Sequence, residues 1–207
     1  MRFLLASASS GRLRTLRNAG VEPEVEVSGV DEDAITAPSP AELVQALAHA
    51  KAVTVAGRQR GKLLVLGCDS LLELDGVALG KPSSAAEAVR RWQLMRGRSA
   101  VLHTGHTLIE VADSAAVRVL DRLASTEVRF GDPSDAEIEA YVATGEPLRV
   151  AGAFTVDGFG GWFIEAVAGD HHNVVGLSLP LLRRMLLEFG YAVSDLPAAD
   201  QAGRDGR

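Results

Sequence analysis

The chain has 207 residues, of which 47% are hydrophobic and 23% charged, a globular composition long enough for one sizeable core. Its formal net charge of -6 excludes a sequence-wide positive field of the kind that gathers nucleic acid or anionic lipid, so a polyanionic ligand would need cations concentrated locally. Cys68 is the only cysteine, which excludes an internal disulfide, and it reads as a small packing residue rather than a nucleophile. No segment reaches the roughly 18 uninterrupted apolar residues of a membrane helix, and Phe3 to Ala6 is too short for a signal-peptide core, so a cytoplasmic protein is expected.

The run Arg2 to Ala6 predicts an apolar strand. A small-residue turn follows, Ser7 to Gly11, then a short helix with Leu13, Leu16 and Ala19 at helical spacing, closed by Gly20. Val25 and Val27 alternate with Glu24 and Glu26, which predicts a half-buried strand leading toward Asp31 and Glu32. Three Ser-x-x-Glu sequences, Ser39 with Glu42, Ser84 with Glu87 and Ser134 with Glu137, mark helix starts by reciprocal bonding between side chains and free backbone amides. Pro40 strengthens the first, since the position after a cap has no use for an amide hydrogen. These helices are expected to run to about Gly57, Gly97 and Gly145, each glycine supplying a left-handed end.

Between the first two of them, Lys62 to Gly67 is a continuous run of buried-strand length with Asp69 and Ser70 at its end, and Leu71 to Leu79 predicts a hairpin turning at Asp75-Gly76. Long antiparallel strands are expected from Val101 to Val111 and from Val117 to Phe130, around a turn containing Asp113. Trp92, at helical spacing with Val89 and Met95, reads as core. After Pro180, Leu181, Leu182, Met185, Leu186 and Phe189 form the apolar side of a last helix. Strands and helices interleave without a long linker, which predicts one α/β domain over residues 1–197; the stretch 198–207 lacks periodicity and reads as a disordered tail.

Several residues carry possible chemistry, each beside a plainer reading. Ser7-Ala8-Ser9-Ser10-Gly11-Arg12 joins a strand to a helix, where free amides and hydroxyls surround an anion or simply cap the helix. It lacks the Gly-Lys-Ser/Thr ending of a Walker loop. Asp69, at a strand's C-terminal end, occupies a place where open α/β sheets put catalytic groups, or it caps a turn. Lys81, between Gly80 and Pro82, is held stiffly, although Gly-Lys-Pro is also a common turn. Lys51 lies near the stripe Leu43, Val44, Leu47 and Ala50, where a surface lysine snorkels by default. Glu32 beside Asp31 offers oxygen to a divalent ion or is merely solvated. His171-His172 lacks a third ligand nearby, so it is weak as a metal site.

The order of these pieces is more specific than any one of them. Leu5-Ala6-Ser7-Ala8-Ser9, Asp31-Glu32, Gly67-Cys68-Asp69-Ser70, Gly80-Lys81-Pro82, Arg96-Gly97-Arg98, His103-Thr104-Gly105, Tyr141 with Gly145-Glu146-Pro147, Ala151-Gly152-Ala153-Phe154 and Asn173-Val174-Val175-Gly176-Leu177 follow one another along the chain. Together they resemble the Maf family of nucleotide pyrophosphatases from about Arg2 to Phe189.

The resemblance implies an elongated, mixed-sheet α/β fold of the Maf and ITPase kind, with two lobes around a central cleft. It also implies a divalent cation, Mg²⁺ or Mn²⁺, and cleavage of a nucleoside triphosphate to the monophosphate and pyrophosphate. By position, Ser7, Arg12, Glu32, Lys51, Asp69 and Lys81 match the family's cleft residues. Asp69 stands in the place of the proton acceptor and, with Glu32, of a metal ligand; Lys51 and Lys81 complete the catalytic set. Ser7, Ser9, Arg12, Ser70 and Asp157 fall on the substrate-binding side. The implied biology is removal of modified nucleotides and, in some members, arrest of septum formation. A nucleoside triphosphate is thus the expected partner, with no nucleic acid or membrane, and a homodimer stays open.

Departures from the family pattern touch specificity. Ser10 and Gly11 replace the usual Pro-Arg before Arg12, Val150 replaces a frequent lysine, and Asp157 stands where pyrimidine-preferring members usually carry glutamine. Gly11, Ser70 and Asp157 therefore do not reproduce that branch's Arg, Thr and Gln set. Two other readings compete with the enzyme. One is a nucleotide-binding regulator of division without turnover, against which Asp69, Lys51 and Lys81 argue. The other is a dinucleotide oxidoreductase, against which the missing glycine fingerprint argues.

Overall fold

Two long antiparallel ladders carry the sheet. In the computed structural model, which describes residues 1–199, the strands are β1 (Arg2–Leu5), β2 (Glu24–Val25), β3 (Leu63–Leu74), β4 (Val77–Leu79), β5 (Ser99–Ala112), β6 (Ala115–Phe130) and β7 (Ile164–Ala168). The helices are α1 (Ser10–Asn18), α2 (Pro40–Ala56), α3 (Ala85–Met95), α4 (Asp135–Ala143), α5 (His171–Val175) and α6 (Leu179–Glu188). The sheet order is β2-β1-β3-β5-β6-β7, with β4 added to β3. β1 runs parallel to β2 and to β3, and the other pairings are antiparallel, so the sheet is mixed.

β3 passes through Asp69 and Ser70 without a break, because its pairing with β5 continues from Leu63–Val111 to Glu73–Val101. Asp69 is therefore a mid-strand residue, and the expected strand end is corrected. The hairpin at Asp75-Gly76 is present, with φ of 52° and 78°, the doubly positive turn that a two-residue hairpin loop requires. Asp113-Ser114 repeats it at 49° and 75°, a tighter turn than expected, so β5 and β6 are longer than the sequence suggested.

Ser39, Ser84 and Ser134 each accept a hydrogen bond from the amide three residues on. Only Ser134 completes the reciprocal exchange, Glu137 accepting from its backbone N–H at 2.7 Å. Glu42 turns to the Ser39 hydroxyl instead, and Glu87 reaches one residue further, to Ser83. Gly97 and Gly145 are left-handed as expected, whereas Gly57, at φ -63°, remains in the right-handed region. β2 is only two residues long, at the edge of the sheet, and Val25 within it and Val27 beyond it are both exposed, so the expected half-buried strand is corrected.

One core lies under α1 and α6, around Phe3, Leu5, Leu16, Leu66 and Met185. A second surrounds Trp92, which is fully buried, meets Phe130 and Tyr141 edge to face at 5.5 Å, and donates its indole N–H to the Ala153 carbonyl at 2.8 Å. A third joins α2 to the sheet through Ala52, Val55, Val65 and Ile109. Cys68 is buried among the first, which pushes its thiol up to about 12 and suits packing, not reactivity. Ala198 still pairs with Val21, and Ala199 donates to the Gly20 carbonyl at 2.9 Å; the rest of the expected tail lies outside the described residues. Among the described residues no helix is long and apolar enough to cross a membrane.

Candidate active site

A cleft of about 1110 Å³ opens between the β1–α1 turn and the 144–158 segment. Ser7, Ser9, Arg12, Glu32, Lys51, Asp69, Ser70, Lys81 and Asp157 all line it. Every site residue expected from the sequence is thus brought to one cavity.

Its centre is made by α2 and β3. Lys51 is only 8% exposed, ion-paired to Asp69 Oδ1 and 2.7 Å from Glu32 Oε1. A buried ammonium needs such partners, and the default reading of a snorkelling surface lysine is corrected. The cause lies beneath it: a β-carbon on Gly67 would stand 2.3 Å from the Ala48 carbonyl, and one on Gly105 would stand 2.3 Å from that of Val44. With no side chains at these two points, α2 sits directly on the sheet. Glu32 arrives separately, from the 3-10 turn Glu32–Ala34.

Two carboxylates converging on one Nζ make a hard-oxygen donor pair with one net negative charge, which fits Mg²⁺ or Mn²⁺ completed by phosphate oxygens. Among the described residues no cluster of three metal-capable side chains exists, so a cation here would depend on its substrate for ligands. His171-His172 opens the short helix α5, where His172 is bonded to Asp170.

The N-terminal turn forms the next wall. Ser9 caps α1 by accepting from the Arg12 amide at 3.3 Å. Ser7 Oγ accepts from the Ser9 amide at 3.2 Å and from Arg12 Nη1 at 3.0 Å. Arg12, 8% exposed, also donates to the Gly176 carbonyl at 2.8 Å and to Ser70 Oγ at 3.0 Å. Ser70 is linked to Thr104, which donates to the Asn173 carbonyl at 3.3 Å. Arg12 is therefore held rigidly by neutral oxygens alone, a buried cation with no carboxylate in ion-pair contact among the described residues.

Lys81 and Arg149 line the cleft with no hydrogen bond or ion pair from their side chains among the described residues. The sequence reading missed Arg149. Its only signal was its place beside Val150, where the family resemblance calls for a lysine.

On the opposite wall Asp157 Oδ2 is ion-paired to Arg14, and Oδ1 accepts from the Thr155 hydroxyl. Burial works against ionisation there, but Thr155 and Arg14 together hold the carboxyl below its usual range. Glu146 anchors this loop, accepting from the Phe159 and Gly160 amides at 2.9 Å and from the Tyr141 hydroxyl at 2.8 Å. Burial, then Glu146, raises the Tyr141 phenol, so it stays a donor.

Fold and cleft define an α/β protein whose concentrated, partly unmatched cations suit a polyanion. The chain belongs to the Maf-like protein family, whose profile it matches over residues 2–189. It is 58% identical over 202 residues to the nucleoside triphosphate pyrophosphatase of Streptomyces coelicolor, covering 96% of this chain and 97% of that one. Proteins of the same name from Streptomyces avermitilis and Trichormus variabilis are 56% and 54% identical, over 94% and 93% of this chain and 94% and 96% of theirs. A solved structure of the Staphylococcus aureus Ham1 protein aligns over 62% of this chain and 72% of that one at 16% identity, with a TM-score of 0.37, a likeness that carries no argument.

Proposed function

We propose that this chain is a nucleoside triphosphate pyrophosphatase, releasing the monophosphate and pyrophosphate from a normal or modified nucleotide. The observation that carries this reading is Arg12, a buried guanidinium whose partners are all neutral, at the mouth of a helix N-terminus and in one cleft with the Lys51–Asp69 pair. A triphosphate brings about four negative charges, which a partly desolvated site accepts only where cations wait for them. Arg12, Lys81 and Arg149 are such cations, and the free amides of α1 add to them. The names of the relatives point the same way.

In this reading Lys51 occupies Asp69 Oδ1, and Oδ2 is left to take a proton from the water that attacks the α phosphorus. Arg12, already fixed on Ser7, Ser70 and Gly176, needs no reorganisation to meet phosphate. Lys81 and Arg149 face the charge that grows on the departing pyrophosphate. Glu32 and Asp69 would hold Mg²⁺ or Mn²⁺, which when bound neutralises phosphate charge and polarises a phosphoryl oxygen. We place the protein in the cytoplasm, where nucleotide pools are. A panel of normal and modified triphosphates, assayed for pyrophosphate with Mg²⁺ and Mn²⁺, tests the reading. Nucleotide binding without pyrophosphate across the whole panel would leave a regulator that binds and does not turn over.

A further inference from the structure

We propose that Glu87 and Arg91 act as a positioning unit for Lys81, an ion pair on α3 that sets the aim of this ammonium from behind the cleft wall. The inference rests on the reading of Lys81 as a phosphate-binding group.

The segment that carries Lys81 has no regular structure of its own, since β4 ends at Leu79 and α3 begins at Ala85. Pro82 stiffens one torsion, and the Lys81 side chain has no partner among the described residues, so its direction depends on what holds the backbone. Two grips do so, one on each side. Before Lys81, Arg91 Nη1 donates to the Gly80 carbonyl at 2.5 Å, and the same carbonyl accepts from the Gly152 amide at 3.0 Å. After it, Glu87 Oε2 accepts from the Ser83 amide at 2.7 Å and the Ser83 hydroxyl at 2.6 Å. The grips are coupled, because Arg91 Nη2 is ion-paired to Glu87 Oε1 one helical turn away.

Helix capping does not account for this arrangement. Ser84 caps α3 by accepting from the Glu87 amide at 3.2 Å, and a reciprocal box would return the Glu87 carboxylate to the Ser84 amide. The carboxylate instead goes past it to Ser83. Arg91 likewise is not a solvated surface charge: its side chain is 14% exposed and ends on a loop carbonyl. The Ser83 bonds, and then Arg91, hold the Glu87 carboxyl at about 2, so the unit keeps its charge through any ordinary pH.

The test is a double-mutant cycle on the full chain, reading kcat/KM and inhibition by pyrophosphate for Arg91→Ala, Lys81→Ala and the pair. Arg91→Ala should weaken kcat/KM and pyrophosphate inhibition by about tenfold or more. In the Lys81→Ala background the same change should cost less than about twofold, since a unit that acts through Lys81 has nothing left to aim. Glu87→Gln, which keeps size and leaves Arg91 its bond to Gly80, should give a smaller loss of the same kind. Arg91→Lys should recover part of the activity, one ammonium being unable to serve both Gly80 and Glu87. Equal losses in both backgrounds, or none in either, would overturn the inference while leaving Lys81 in its role. A Lys81→Ala variant with normal turnover and normal pyrophosphate inhibition would overturn the phosphate reading of Lys81 and this inference with it.

Discussion

Gly67 and Ala48 are so close that a β-carbon on the glycine would stand 2.3 Å from the Ala48 carbonyl oxygen. Lys51 lies three residues beyond Ala48 and Asp69 two beyond Gly67, so the contact that seats α2 on β3 also brings the ammonium to the carboxylate.

Gly67→Ala should therefore damage both stability and turnover. Overpacking against helix backbone costs about 1 to 3 kcal/mol, and lifting α2 draws Lys51 away from Asp69. A urea midpoint and kcat measured on the same preparation check this. A stable variant with wild-type kcat would show that the close seat is not what sets the pair.

Asp69→Asn should abolish hydrolysis, with a loss of about a hundred- to ten-thousand-fold in kcat, while nucleotide affinity and fold are largely kept. Asparagine matches the carboxylate in size but takes no proton at neutral pH. The mid-strand position removes the turn-cap alternative, since no turn exists there to cap. Loss of a proton acceptor resists rescue by added Mn²⁺, whereas loss of a metal ligand yields to it. Near-normal turnover would overturn the assignment.

Activity should require an added divalent cation and disappear with chelator, because Glu32 and Asp69 offer only oxygen and only two side chains. Metal-free protein assayed in excess chelator is the direct check, and full turnover there would refute the donor pair. Replacing His171 and His172 with alanine together should leave the metal requirement as it was.

Base selectivity should differ from a strict preference for dTTP and UTP. Arg14 and Thr155 already claim both oxygens of Asp157, and Gly11 brings no side-chain donor to the cleft. Losing groups that read a base edge removes on the order of 1 to 3 kcal/mol of discrimination for each pair. Ratios of kcat/KM across the common triphosphates measure it, and a strict pyrimidine preference would mean that other residues do the reading.

His106 should make the fold sensitive to acid. It is fully buried, with Nδ1 donating to the Thr104 carbonyl at 3.1 Å and Nε2 accepting from the Ser178 amide at 2.9 Å, and the second contact demands the neutral ring, since a protonated Nε2 cannot accept. Burial above all lowers it to about 4 in the fold, against roughly 6.5 for an unfolded chain. The unfolded state thus takes up the proton first as pH falls. Stability conferred by the neutral ring is whole above about pH 6.5 and is lost progressively down to about pH 4, on the order of 3 kcal/mol in all. Unfolding curves across that window, with an NMR titration of the imidazole, test it; protonation of His106 near 6.5 in the folded protein would refute it.

Much of the fold was legible along the chain because its signals act over a few residues. Ser39, Ser84 and Ser134 mark helix starts through amides three positions away, and Asp75-Gly76 marks a hairpin through its own torsions. Ser7, Arg12, Asp69 and Lys81, which the motif order singled out, line one cleft. What the motifs left open was the state of each group. Whether Lys51 is solvated or buried depends on two glycines in different strands that let a helix descend, and whether Asp157 is free depends on an arginine 143 residues away. The aim of Lys81 likewise depends on where Arg91 ends once α3 has docked. By itself the sequence determined the local elements and the inventory of charges, because capping, turn torsions and periodicity are short-range effects. Only the tertiary structure decided which charges are neutralised and which remain for a ligand, because ion pairing and desolvation follow from strand register and helix seating between distant parts of the chain.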